Sequence, residues 1–463
     1  MAKETDKKAI FETMAPGKAL AAMAVPTIIS QLINLIYNMV DTFFIGRTGN
    51  SYMIAAATIS FPIYMMTIAF SNMFGIGGGS EMARLIGVHR QDRSVKVCSF
   101  SFYCTIALGI LYSLVVFLFL DPILFALGAS ENTILYARQY VLCVIVAGSI
   151  PTILSTVLAH LLRNVGYSKQ ASIGLSAGGL LNIGLDPLFM FVILPKGMEV
   201  LGAAVATLIS NVFSCIYFLI VFSSLRKKAP IGFRLKDAFQ VTRQEVKELF
   251  SVGIPSAILT GLFDVGNMVL DSQMSGHGDL QLAAIGIVMK VERFPNAINI
   301  GICQGMLPIV AYNFASGNHP RMKAVIKVTM RTGLIISFAS VVIFEIFAKP
   351  FVSVFLSTSS GAAETATTLE FAEQFLRIRC LASPLQFLNY SSSYCMQGLG
   401  DGKDTLIHAV MRELVFYIPF MYILNSVFGL YGLVTALVAG ELCGAVVGQS
   451  LLRRYLRKQT SAA

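Results

Sequence analysis

The chain has no tryptophan and little charge: Asp, Glu, Lys and Arg together make up 13% of its 463 residues. A soluble fold of this length needs roughly twice that share to cover its surface, which excludes soluble enzymes and soluble binding modules. Without Trp, any aromatic belt at the two membrane interfaces must come from the 16 Tyr, helped by Phe. There is no CxxC pair. The eight cysteines (98, 104, 143, 215, 303, 380, 395 and 443) all fall in apolar runs, with no His at metal-ligand spacing. They read as small buried side chains, with no disulfide or zinc framework expected. No nucleophile or metal set is visible, so neither an enzyme nor a cofactor is expected. The net charge of +10 is spread over short loops and the two ends. A nucleic-acid partner, which needs one basic stripe, is not expected.

What the chain has in quantity is apolar sequence, 55% hydrophobic with a mean hydropathy of +0.71. Apolar stretches of about 20 residues, the length that crosses hydrocarbon, follow one another from Gly17 to Arg453. No cleavable signal peptide is evident, because the first run is too long for one and is preceded by Lys3, Glu4, Asp6, Lys7 and Lys8. Cutting at charge and turn clusters predicts twelve helices near 17–45, 52–79, 95–120, 133–160, 170–194, 201–225, 246–273, 280–308, 323–347, 367–397, 405–427 and 430–452. The expected fold class is therefore an all-α integral membrane protein. Sorted by this topology, 25 of the 35 Lys and Arg, Arg163 among them, lie on the side of the termini, and only Arg47, Arg138, Lys196 and Lys349 lie opposite. By the positive-inside rule both termini are cytoplasmic in a multi-pass protein of the plasma membrane.

The longest polar stretch, Arg226 to Glu248, lies midway. It predicts an amino-terminal lobe (1–225), a cytoplasmic linker (226–248) and a carboxy-terminal lobe (249–463) of six spans each. A shift of 229 positions aligns Pro26 with Pro255, Ile29 with Ile258, Asn38-Met39-Val40 with Asn267-Met268-Val269, Gly49 with Gly278 and Ala55 with Ala284. Each half has an even number of spans, so the repeats share one orientation and are related by an axis along the membrane normal. Paired bundles flanking a central cavity are transporter architecture. Pro26 and Pro255 interrupt their helices at matching positions, as hinges or as tolerated bends.

Ionisable groups inside hydrocarbon cost about 2.5–3.5 kcal/mol each on insertion scales and call for a reason. Asp41 and Asp186 lie in the outer halves of the first and fifth spans. Thr207 of the sixth lies at a similar level, and Asn182 is one turn from Asp186 on the same face. These four are expected to form one polar cluster. Two close carboxylates in a low-dielectric pocket resist ionising together, which suits loading and release of a proton; with amide and hydroxyl oxygens they equally suit sodium. The plainer alternative has Asp41 snorkelling to the interface and Asp186 capping a helix interrupted by Pro187. In the second half, Asp264 and Lys290 fall at similar depth on adjacent helices, with Glu292 and Arg293 nearby. A structural ion pair and a substrate or gating site both fit. Glu345, Arg377 and Arg379 are expected to snorkel near the outer ends. The stripes Gly440, Gly444, Gly448 and Gly75, Gly77, Gly78, Gly79 are expected to serve close helix packing.

Several segments together carry a family resemblance. The first span reads Tyr37-Asn38-Met39-Val40-Asp41-Thr42-Phe43-Phe44-Ile45-Gly46 after Pro26, the fifth carries Asn182-Ile183-Gly184-Leu185-Asp186-Pro187, and the sixth opens Leu201-Gly202-Ala203-Ala204-Val205-Ala206-Thr207. The eighth ends Gln304-Gly305-Met306-Leu307-Pro308, and the tenth ends Gln397-Gly398-Leu399-Gly400-Asp401-Gly402-Lys403. In this order they resemble the multidrug and toxic compound extrusion (MATE) transporters, in particular the MepA-like bacterial branch, over about residues 15 to 455. The resemblance implies a V-shaped pair of six-helix lobes exporting amphipathic, often cationic drugs in exchange for protons or sodium. It assigns Asp41 as the main coupling-cation carboxylate, Asp186 as its partner, and Asn182 and Thr207 as supporting ligands. The implied partners are small-molecule drugs and the lipid bilayer, and a monomer is expected. The wider superfamily also contains flippases for lipid-linked sugars. That is the alternative function, and Lys290 and Arg293 would suit its anionic headgroups.

Overall fold

The computed structural model describes residues 8–355 and 362–461, so Lys3 and Lys7 of the charge count lie outside the described residues. Helix dominates because sustained apolar sequence in lipid must satisfy its backbone within each segment. The helices are α1 (Pro16–Arg47), α2 (Ser51–Gly87), α3 (Gln91–Leu118), α4 (Ile134–Ala147 and Ser149–Asn164), α5 (Ser168–Ile193) and α6 (Glu199–Leu225). After the linker come α7 (Arg243–Ser275), α8 (Asp279–Ala315), α9 (His319–Ser353), α10 (Ala362–Cys380 and Ser383–Leu399), α11 (402–428) and α12 (430–461). Each of the twelve expected spans falls on one of them.

Three interruptions have visible causes. α4 bends by 51° between a π-helical turn and Gly148. α10 breaks just before Pro384, whose ring is tolerated in the first turn of the second segment. α11 and α12 are joined through Gly429, whose φ of 59° is a left-handed conformation that glycine adopts without steric cost. By contrast α1 and α7 run as continuous helix through Pro26 and Pro255.

The halves meet where α1 packs on α8 and α2 on α7. Glycine makes these approaches possible. A Cβ on Gly305 would stand 2.7 Å from the Ala24 Cα, one on Gly301 2.9 Å from the Ile28 Cα, and one on Gly77 2.8 Å from the Gly253 Cα. All these contacts lie between mid-span and the termini. The amino-terminal segment reinforces the same end: Arg321, at the start of α9, donates to the carbonyls of Phe11 (2.7 Å), Ile10 (3.0 Å) and Met14 (2.6 Å). Phe11 also stacks on Tyr312 with ring centroids 5.0 Å apart. Gly305→Leu should therefore pry α1 from α8, lower thermal stability by about 1–3 kcal/mol and cut transport sharply. Gly286→Ala on the same helix, where an added Cβ meets nothing within 4 Å, should be neutral. Equal behaviour of the two variants in a detergent melt would refute the seam.

The two glycine stripes do different work. Gly75, Gly77, Gly78 and Gly79 admit His160, the α7 backbone, Ser101 and Asn164 respectively, so α2 is encircled closely. Gly440 lets the Tyr417 backbone approach, whereas Gly444 and Gly448 make room for the Arg412 and His408 side chains.

Candidate functional site

A cavity of about 350 Å³ lies between the halves. Its floor is crossed by two hydrogen bonds between them, Gln31 Nε2 to Gln304 Oε1 (3.4 Å) and Asn72 Nδ2 to Thr260 Oγ1 (2.9 Å). Nearer the termini, Ser80 and Arg84 on α2 donate to the Gln397 carbonyl of α10, which extends the closure. The wall combines Tyr37, Tyr64, Phe263, Tyr390 and Tyr394 with amides and hydroxyls such as Asn34, Thr152, Asn211 and Gln304. Rigid aromatic faces with a few polar groups suit flat amphipathic ligands.

Asn182 and Thr207 line this cavity. Asn182 Nδ2 donates to Asp186 Oδ1 at 3.2 Å and reaches Thr207 Oγ1 at 3.4 Å. Asp186 is fully buried one helical turn behind, so three of the four expected residues are hydrogen-bonded together. Asp41 enters from α1 without a hydrogen bond to them, but close enough for its carboxylate to act electrostatically on Asp186, Tyr37, Tyr64 and Tyr140. Asp41 Oδ1, Asn182 Oδ1 and Asp186 Oδ2 are buried acceptors without a donor. Buried acceptors are rarely left so, and three in one cluster are the complement of a cation. Tyr64 and Tyr140, on other helices, are members of the cluster that sequence spacing did not indicate, whereas Tyr37 lies four residues before Asp41 on α1, a spacing that points to it.

The carboxy-terminal half is arranged differently. Glu292 is buried and pairs in bidentate fashion with Arg379, at 2.8 and 2.9 Å. Arg379 was expected to snorkel; it is 4% exposed because Glu292 supplies a partner inside the protein. Asp264 interacts electrostatically with Arg293, and no ion pair joins it to Lys290. None of Asp264, Lys290, Glu292 and Arg293 lines the cavity. A second buried network was not anticipated. Arg412 Nε donates to Glu441 at 3.0 Å and lies 3.5 Å from Glu413, while Asn389 donates to Glu441 at 2.6 Å. His408 bridges Asn389 and Ser393, each at 2.9 Å. Arg163, counted by sequence among the loop basics on the side of the termini, is instead 3% exposed and lines the cavity floor.

Among the described residues, apolar helices long enough to cross a membrane surround a central cavity with buried carboxylates beside it, the architecture of a membrane transporter. The MatE family model matches residues 26–188 and again 255–423, once in each half. The chain belongs to the MATE family of transporters. It is 31% identical over 431 residues to the multidrug export protein MepA of Staphylococcus haemolyticus strain JCSC1435, covering 93% of this chain and 92% of that protein. It is also 31% identical over 455 residues to MepA of Staphylococcus aureus strain MRSA252, covering 97% of both. Among solved structures, the fold superimposes on a MATE in complex with MaL6 with a TM-score of 0.91 at 22% identity, over 98% of this chain and 99% of the other. It also superimposes on an outward-facing multidrug resistance MATE transporter with a TM-score of 0.90 at 23% identity, over 98% of both chains.

Proposed function

We propose that this protein is a secondary multidrug efflux transporter. On this reading it exports amphipathic organic compounds, cations among them, in exchange for protons or sodium by alternating access. It acts as a monomer in the plasma membrane with both termini cytoplasmic. Two lobes, 1–225 and 249–463, joined by the 226–248 linker, rock about the central cavity, with Pro26 and Pro255 as points where α1 and α7 can bend. The positive-inside asymmetry supports a cytoplasmic position for the sealed end of the cavity, and on this reading the arrangement is outward-facing. The observation that carries the proposal is the polar wall of Asn182 and Thr207, which joins the cavity to buried Asp186 and, through space, to Asp41. A cation loaded there changes the charge of the wall on which substrate rests, so the two compete or alternate. That is the requirement for antiport.

Transport of a fluorescent organic cation into inverted vesicles, driven separately by a proton and by a sodium gradient, tests the reading. Uptake with at least one gradient, collapsed by the matching ionophore, is expected. Uptake with neither would overturn it. The flippase alternative draws on Lys290 and Arg293, which the structure leaves exposed and outside the cavity lining.

A further inference from the structure

Asp41 and Asp186 lie behind the cavity wall, and no carboxylate is among the residues that line the cavity itself, which include Arg163, Arg412 and His160. The two guanidiniums differ. Arg412 is neutralised by Glu441 and Glu413. Arg163 has no ion pair within 4 Å, its Nε has no hydrogen-bond partner, and its Nη1 only meets His160 Nδ1 at 3.4 Å. It is 97% buried by its 3% exposure, aimed into the floor near Tyr394. Arg is effectively always protonated, so a full positive charge with unused donors lines the cavity. An unpaired buried charge is costly, so its retention calls for a reason, and an anionic ligand group would supply one.

We propose that Arg163 forms an oxyanion subsite at the cavity floor, which receives the carboxylate of an aromatic amphiphile whose rings rest against Tyr37, Tyr64, Phe263, Tyr390 and Tyr394. Among the amphiphiles the cavity takes, carboxylate-bearing aromatics, zwitterions included, are then favoured over their uncharged-ester counterparts. The forked guanidinium matches a carboxylate with two parallel N–H donors, whereas an ester or amide at the same place offers no charge. This rests on the reading of the cavity as the substrate site.

The test uses two dyes with one xanthene core, rhodamine 110, which carries a free carboxylate, and rhodamine 123, its methyl ester. Their binding to the purified full-length protein in detergent is followed by fluorescence polarisation of the dye. The wild type should prefer the acid by about ten- to hundredfold, the range for a hydrogen bond to a charged group. Arg163→Met should remove the preference with little change for the ester, and Arg163→Lys should restore part of it. Benzoate should displace the acid from wild type. Should Arg163→Met not fold, the acid-to-ester ratio and the benzoate competition in wild type decide. Equal binding of the two dyes, or a preference that survives Arg163→Met, overturns the subsite while leaving the cavity reading in place. Binding of neither dye counts against both. Competition by a polyprenyl phosphate without any acid-over-ester preference also overturns it, because the oxyanion source would then be a lipid.

Discussion

Vesicles carrying Asp41→Asn should show efflux no higher than vesicles without the protein, at unchanged expression and melting temperature. The stability half of this expectation comes from what Asp41 lacks. Its Oδ1 is buried with no donor, and no hydrogen bond to another residue is lost when an amide replaces the carboxylate. The functional half comes from what the carboxylate alone can do. Asn keeps the size but cannot gain or lose a charge, so a proton or sodium ion no longer changes the field felt by Asp186 and the tyrosines around it. Asp186→Asn should be as inactive but less clean. Asp186 accepts from Asn182 at 3.2 Å, and the new amide can turn its own NH2 toward that donor and disturb the contact with Thr207. Counterflow of labelled substrate, measured without any gradient, separates the two roles, because a coupling residue can be lost with substrate binding intact. Full gradient-driven efflux by Asp41→Asn would remove it from the mechanism.

The number of helices and their order were legible because hydrocarbon imposes a length of about 20 apolar residues and loops carry the charge. Each expected span meets a helix, and α10, though broken near Pro384, falls on one expected span. The grouping of Asn182, Asp186 and Thr207 was also legible, since a four-residue spacing fixes a helix face and depth fixes the level. Tyr64 and Tyr140 were not, because the rotation of α2 and α4 about their axes is set by packing that no spacing records, whereas Tyr37, four residues before Asp41 on α1, carries the same spacing signal as Asn182 and Asp186. Arg163 illustrates the limit of counting charges. It stands at the end of α4, where the rule assigns a basic residue to a loop, but His160, Asn164 and the α2 glycines place that turn inside the protein.

The Arg412 network could have been found from a signal that was present. His408 and Arg412 are four apart on α11, and Gly444 and Gly448 are four apart on α12. Two ladders of the same period on adjacent antiparallel helices fit together only if the large residues fill the gaps left by the small ones. The glycines alone point to close helix packing; the polar partners show only when both ladders are set side by side, since a Cβ on Gly444 would meet the Arg412 Cγ at 3.0 Å and one on Gly448 the His408 Nε2 at 2.6 Å.

That network sets the second large effect. Arg412→Met should lower stability by about 3–5 kcal/mol, because it leaves Glu441 and Glu413, 4% and 2% exposed, without their cation. Glu441→Gln should cost less, since Glu413 remains 3.5 Å from the guanidinium and Asn389 can still donate to the amide oxygen. The double variant should be more stable than the sum of the single losses by about 0.5–3 kcal/mol, since removing both partners avoids one uncompensated buried charge. The guanidinium also sits 5.1 Å from the centroid of the Tyr390 ring, which lines the cavity. Loss of Arg412 therefore frees that ring, and surviving Arg412→Met protein should bind aromatic substrates more weakly even when melting is corrected for by working at low temperature. Thermal melts of the three variants in detergent, followed by size-exclusion recovery, give the cycle. Additive losses would show that Arg412 and Glu441 act independently, and would reduce the network to neighbours that happen to touch.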